Sequence, residues 1–108
     1  MRGGRPIYLA SLDKQRPCVL LTREHMASRL AWVTIAPITS QIRGIPTEVL
    51  VDAGRDTGLK VDSVISVDNV RTVPRSALVR QIGLLPAACE PRLTAAIVRA
   101  FDLAADLS

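Results

Sequence analysis

A chain of 108 residues and 11.7 kDa has room for one modest core, so one domain over residues 1–108 is expected, with a second subunit completing any concave site. A 48% hydrophobic composition and a mean hydropathy of +0.24 exclude a disordered chain, and Arg or Asp cuts every apolar run short of the ~20 residues of a membrane span. The net charge of +4, with 12 of the 14 cations arginine, suits a polyanionic partner, although an Arg- and Ala-rich composition is also what a GC-rich genome produces.

Pro6–Leu12 reads as a first strand, ended by a turn over Asp13–Arg16. Pro17–Thr22 is an unbroken apolar run, the mark of a buried strand, and Pro17 is tolerated at its first position. Thr22–Ser28 reads as a short helix or an irregular loop. Trp32–Ala36 is a third strand, and Pro37 argues that ladder pairing weakens there. Glu48–Val51 and Ser63–Val67 are β-branched runs separated by a loop with Gly54 and Gly58. Val70–Val73 alternates apolar with polar, and Leu78–Ile82 is a last strand stopped by Gly83. Then the period changes: Leu93, Ile97, Ala100, Phe101 and Ala104 recur at helical spacing, which predicts an amphipathic helix over roughly 87–105. The expected fold is α+β and mainly β: five to seven short strands in a small curled antiparallel sheet, capped by a C-terminal helix.

The chemistry-bearing residue types are sparse. Cys18 and Cys89 lie in separate apolar contexts and read as reduced core thiols. The single histidine, His25, sits in a polar stretch as a surface imidazole, so no His/Cys cluster is available to bind a metal and no cofactor is expected. Tyr8, Trp32 and Phe101 are the aromatic residues, too few for an RNA-recognition motif that stacks bases on sheet aromatics. Between Met1 and Asp13 the apolar segment is too short for a secretory signal, and a cytoplasmic protein is expected.

Polar residues gather where the chain leaves the sheet. Arg16 stands at the mouth of the second strand, Thr39-Ser40-Gln41 follows the third, and Asp68-Asn69 joins two strand-like runs with Arg71-Thr72 just beyond. Side chains at such positions can converge on a groove without entering the core.

At these residues the chain resembles the MazF/Kid/PemK toxins, the ribonuclease components of bacterial toxin–antitoxin pairs. The resemblance is carried by Ile7-Tyr8-Leu9 with Leu12-Asp13, by Arg16-Pro17 and the apolar residues after it, and by Ala36-Pro37-Ile38-Thr39-Ser40-Gln41. It continues through Gly58-Leu59-Lys60 with Asp62-Ser63-Val64, and through Asp68-Asn69-Val70-Arg71-Thr72-Val73, so it spans nearly the whole chain in order. It implies an SH3-like antiparallel barrel that forms a homodimer and cuts single-stranded RNA without metal, through attack by the ribose 2′-hydroxyl. It further implies a cognate acidic, MazE-like antitoxin whose partly disordered tail occupies the RNA groove.

Position by position, the resemblance implies that Arg16 and Thr39 are catalytic, with Asp68 as the aspartate used by some members. Ser40, Gln41, Asn69 and Arg71 are the corresponding candidates for base and phosphate contacts, and Arg43 either follows the backbone or is merely solvated. Read locally, Arg16 solvates a turn, Thr39 caps one and Asp68 closes an Asx-turn. The chain departs from the family in three places. Asp13-Lys14-Gln15 replaces the long loop that often gates the groove, Ser66 replaces a second arginine, and Arg5-Pro6 replaces an Arg-Gly-acid opening. These departures keep two alternatives in view: an RNA-binding module without catalysis, and a protein-binding toxin of the gyrase-poison kind. The latter acts through a C-terminal Trp-Gly-Ile, which Leu103–Ser108 does not contain.

Overall fold

The computed structural model describes residues 4–103. The strands are β1 (Pro6–Ser11), β2 (Gln15–Leu20), β3 (Trp32–Thr39), β4 (Glu48–Val51), β5 (Ser63–Ser66), β6 (Arg71–Pro74) and β7 (Leu78–Leu84). The helices are a one-turn α1 (Glu24–Ala27) and α2 (Glu90–Ala100), and 3-10 turns cover Val67–Asn69, Arg75–Ala77 and Ala87–Cys89. All strand pairs are antiparallel, in the order β4-β5-β3-β2-β1-β7, with β6 also on β3. The bent sheet is not closed by strand pairing. Instead the loop after β4 reaches β7, where the Leu84 amide donates to the Asp56 carbonyl at 2.7 Å. Gly58 makes this approach possible: its φ is +74°, and a Cβ there would collide with the Ile82 carbonyl. The result is the small barrel-like α+β fold with a C-terminal helix that the sequence predicts.

The unbroken apolar run on β2 is explained by burial on both faces of the sheet. Successive strand residues point to opposite sides. Val19 packs with Ile7, Ile38, Ile65 and Leu93 on one side, while Cys18 and Leu20 pack with Ala10, Val33 and Ile35 on the other. Full burial of a side chain such as Ile35 or Ile65 stabilises the fold by about 1.5–3 kcal/mol. The helix α2 covers the first of these cores with Leu93 and Ala96, flanked by the partly buried Ile97 and Ala100.

Several boundaries differ from the sequence expectation. The β1–β2 hairpin pairs Ser11 with Gln15, so its loop is only Leu12-Asp13-Lys14 and Arg16 lies inside β2 rather than in the turn before it. Pro37 does not end β3. The strand runs on to Thr39 by changing partners: Trp32–Ile35 pair with β6, Ile35–Pro37 with β2, and Ile38–Thr39 with β5. Val67 opens a 3-10 turn, Val70 precedes β6, and β7 passes through Gly83 to Leu84. The helix is shorter than expected, because residues 87–89 form a 3-10 turn and the chain leaves the helix at Phe101. Phe101 is 57% exposed instead of facing the core, and Asp102 follows it with φ +52°. Ala104 lies outside the described residues.

Candidate active-site cleft

The β2–β3 ladder fixes where the first two candidate residues meet. Cys18 and Pro37 are the last pair of that ladder, and Arg16 and Thr39 stand two residues beyond it, one on each strand. Because residues two apart on a strand share a face, Arg16 and Thr39 emerge on the same side of the sheet. Both line an open cleft of about 410 Å³, with Pro37 and Ile38 as its floor and Asp13, Gln41, Arg43, Glu48, Ser66, Asn69 and Arg71 around them. The antiparallel β3–β6 ladder, pairing Ile35 with Arg71, delivers Arg71 from a third strand.

Five of the sequence candidates are thus brought together: Arg16, Thr39, Gln41, Asn69 and Arg71. Ser40 is exposed just past the end of β3 and does not line the cleft. Asp68 lies between cleft residues in sequence but outside the lining, where its Oδ2 accepts a 2.6 Å hydrogen bond from the Thr47 hydroxyl.

The polar groups of the cleft are held in place. The Arg16 guanidinium donates from Nε to Asp13 Oδ1 at 3.1 Å and from Nη2 to Oδ2 at 3.4 Å. That hydrogen bond from Arg16, with a second from the Lys14 backbone, holds the Asp13 carboxyl down at about 2. Reciprocally, hydrogen bonding to Asp13 pushes the Arg16 value up, so the guanidinium stays charged. The Thr39 hydroxyl oxygen accepts from the Gln41 amide at 3.1 Å, leaving its own proton free to donate. Glu48 Oε1 accepts from the backbone amides of Arg43 and Gly44 at 3.0 and 2.9 Å, which pins the loop after β3. Asn69 Nδ2 donates to Ser66 Oγ at 2.7 Å. Among the described residues, Arg43 and Arg71 take part in no ion pair, so two of the three cleft arginines are uncompensated.

Sequence reasoning passed over Asp13 and Glu48 as parts of the site, and met Ser66 only as the replacement of a second arginine. Asp13 carried a signal, three residues before Arg16 in a chain too short to separate them. Glu48 carried none, since its bonds go to backbone amides of an irregular loop whose path no local pattern reveals.

A family model described as PemK-like, MazF-like toxin of type II toxin–antitoxin system matches residues 6–101. The chain belongs to this family. It is 54% identical over 99 residues to the endoribonuclease MazF3 of Mycobacterium tuberculosis H37Rv, covering 92% of this chain and 94% of that protein. The solved structure of the Mycobacterium tuberculosis toxin MazF-mt6 superposes with a TM-score of 0.88 at 53% identity, covering 93% of this chain and 99% of that one. An endoribonuclease from a mycobacterial species, solved with its cognate antitoxin, shares the MazF fold with a TM-score of 0.79 at 21% identity, covering 96% and 98% of the two chains. The β1–β2 loop of this chain is a tight hairpin, and Asp13 in it lines the cleft.

Proposed function

We propose that this protein is the toxin of a type II toxin–antitoxin pair, a cytoplasmic endoribonuclease that cuts single-stranded RNA at short sequences and thereby arrests translation and growth. The observation that carries this reading is the convergence of Arg16 and Thr39 on one cleft in a MazF-family fold. Attack of a ribose 2′-oxygen on phosphorus builds negative charge on the non-bridging oxygens. A guanidinium fork and a hydroxyl proton aimed at those oxygens bind the transition state more strongly than the ground state. Arg16 supplies the fork and Thr39 the hydroxyl. The products are a cyclic phosphate and a 5′-hydroxyl.

Arg16 is not the proton acceptor, since a guanidinium does not deprotonate at neutral pH. Asp68, next in sequence to the cleft residue Asn69 and held at Oδ2 by Thr47, is assigned that part. Arg71 and Arg43 follow the phosphates, and the amides of Gln41 and Asn69 contact base edges. Ser40, exposed just past the end of β3 and outside the cleft lining, is available only to RNA that extends beyond the cleft. A homodimer of single-domain subunits would extend this groove. The partner is an acidic antitoxin segment that fills it, a reading supported by the antitoxin-bound relative and by the net charge of +4.

Incubating the purified protein with mixed RNA in EDTA, and sequencing the ends, tests the reading. Cuts at a recurrent short motif with 5′-hydroxyl ends are expected. Intact RNA at concentrations that favour a dimer would overturn the ribonuclease reading, and binding without cutting would favour a non-catalytic RNA-binding module.

A further inference from the structure

We infer that Glu48 is a positioning residue for Arg43, clipping the loop after β3 so that this guanidinium is held ready for a phosphate flanking the scissile one. The inference rests on the ribonuclease reading above and concerns how the chain grips the RNA backbone beside the cut.

The loop has little else to hold it. Residues 40–46 are exposed throughout, and neither Ile42 nor Ile45 joins either hydrophobic core. Its path is therefore fixed by hydrogen bonds and not by apolar packing. Glu48 opens β4, where pairing with Ser66 of β5 anchors its backbone. From there it closes the loop twice. Its amide donates to the Ile45 carbonyl at 3.0 Å, and its Oε1 accepts from the amides of Arg43 and Gly44 at 3.0 and 2.9 Å. Gly44 takes φ +76°, the left-handed conformation that turns successive N–H groups toward one acceptor. The side chain leaving this turn is Arg43, which lines the cleft together with Glu48.

On charge alone, a carboxylate in this cleft repels the RNA backbone and weakens binding. Its contribution lies in the order it imposes. A free loop would have to be ordered as RNA binds, and fixing one residue's backbone at that moment lowers affinity by about 5- to 30-fold. With the clip in place, that ordering is complete before RNA arrives. Repulsion and ordering have opposite signs, so they can be separated. Both bonds fall on Oε1, and a glutamine, with its single side-chain carbonyl oxygen, can accept the same two bonds without the charge.

The test measures binding of a labelled, cleavage-resistant 2′-deoxy oligonucleotide of mixed sequence by fluorescence anisotropy over a salt series, with thermal melts alongside. Glu48→Ala is expected to weaken binding by about 5- to 30-fold and to flatten the salt slope by up to about 0.7, the share of one phosphate contact. Glu48→Gln should bind as tightly as wild type or more tightly, because the clip survives and the repulsion goes. With Arg43→Ala already in place, adding Glu48→Ala should change affinity by less than about threefold, since the two residues act as one unit. Equal or tighter binding by Glu48→Ala would overturn the inference, making the carboxylate only a repellent or a plug in a phosphate nest. So would the full loss on the Arg43→Ala background, which marks a general prop of the loop. A loss in Glu48→Gln as large as in Glu48→Ala would also overturn it. Should the alanine variant melt early, Glu48→Asp, which keeps the charge but shortens the reach, takes its place with the same expected loss. In cleavage of a fluorogenic RNA oligonucleotide, Glu48→Ala should raise KM by more than it lowers kcat, and a loss confined to kcat would count against a binding role. Should wild type leave RNA intact, the ribonuclease reading fails, while the anisotropy comparison still decides whether Glu48 positions Arg43.

Discussion

Cys18 of β2 is the ladder partner of Pro37 of β3, the last pair of that ladder, and two residues beyond it on each strand stand Arg16 and Thr39. A proline suits this place because β3 exchanges partners there. β2 pairs with it up to Pro37 and β5 takes over at Ile38. The parting strands open the cleft, and the two donors stand where it opens.

From this geometry Arg16→Ala and Thr39→Ala should each reduce kcat by about 10²–10³, the usual loss for one donor to a developing oxyanion. Neither side chain belongs to a core, so the change in stability should stay within about 1 kcal/mol. Cleavage kinetics and urea unfolding on the same preparations check both statements. A loss of activity that tracks a loss of folded protein would place these residues in the scaffold instead.

Most of the fold was legible because its signals are local. Alternation and β-branched runs marked the strands, and the 3.6-residue recurrence of Leu93, Ile97 and Ala100 marked α2. Pro37 misled because its missing N–H was read as the end of a strand, when the strand had another edge available at Ile38. Phe101 misled because spacing alone does not reveal where a helix stops. At the site, Arg16 and Thr39 were legible from their motifs. The anchoring roles of Glu48 and Thr47 were not: Glu48 closes an irregular loop onto backbone amides four and five residues back, and Thr47 meets Asp68 only through the fold.

Thr47 offers a way to test the assignment of Asp68. Thr47→Val removes the 2.6 Å donor and keeps the shape of the side chain. Losing this exposed hydrogen bond should cost about 0.5–1.5 kcal/mol of stability at most. If Asp68 accepts the 2′-proton, Asp68→Asn should lower kcat by about 10²-fold or more. Thr47→Val should give a smaller loss in the same direction. Single-turnover cleavage by both variants measures this, and full activity in Asp68→Asn would remove the carboxylate from the mechanism.

The Asp13–Arg16 pair predicts a specific acid limit. The folded Asp13 value, about 2, lies below the ordinary 3.8, so the favourable contact is complete above 3.8 and disappears as pH falls through about 2. The Asp13 carboxyl carbon shift, followed by NMR, should therefore show no titration between pH 7 and 4. Arg16→Ala should restore a midpoint near the ordinary value. A midpoint near 4 in wild type would mean that the pair does not persist in solution.

Cys18 makes the opposite kind of titration prediction. Burial pushes its thiol from 9.0 up to about 11. The native state thus holds a proton that the unfolded chain releases at lower pH, and the stability this gives is lost as pH rises from 9 toward 11. Urea midpoints should fall more steeply over that interval in wild type than in Cys18→Ala. Native protein at pH 8 should also resist alkylation at Cys18 until it is unfolded, as mass spectrometry of labelled peptides can show.

Arg43 and Arg71 line the cleft, and among the described residues no carboxylate pairs with either, so their charge is available to a polyanion. Each phosphate neutralised on a single strand contributes about −0.7 to the slope of log affinity against log salt. Arg71→Ala and Arg43→Ala should therefore each flatten that slope by roughly this amount and weaken binding to all sequences alike. Gln41→Ala and Asn69→Ala should leave the slope unchanged and instead alter the preferred cleavage motif, because amides read base edges and carry no charge. Fluorescence anisotropy with a cleavage-resistant oligonucleotide across a salt series separates the two groups. An unaltered slope in Arg71→Ala would show that its guanidinium makes no phosphate contact, and would leave Arg16 and Arg43 as the cleft's anchors for the RNA backbone.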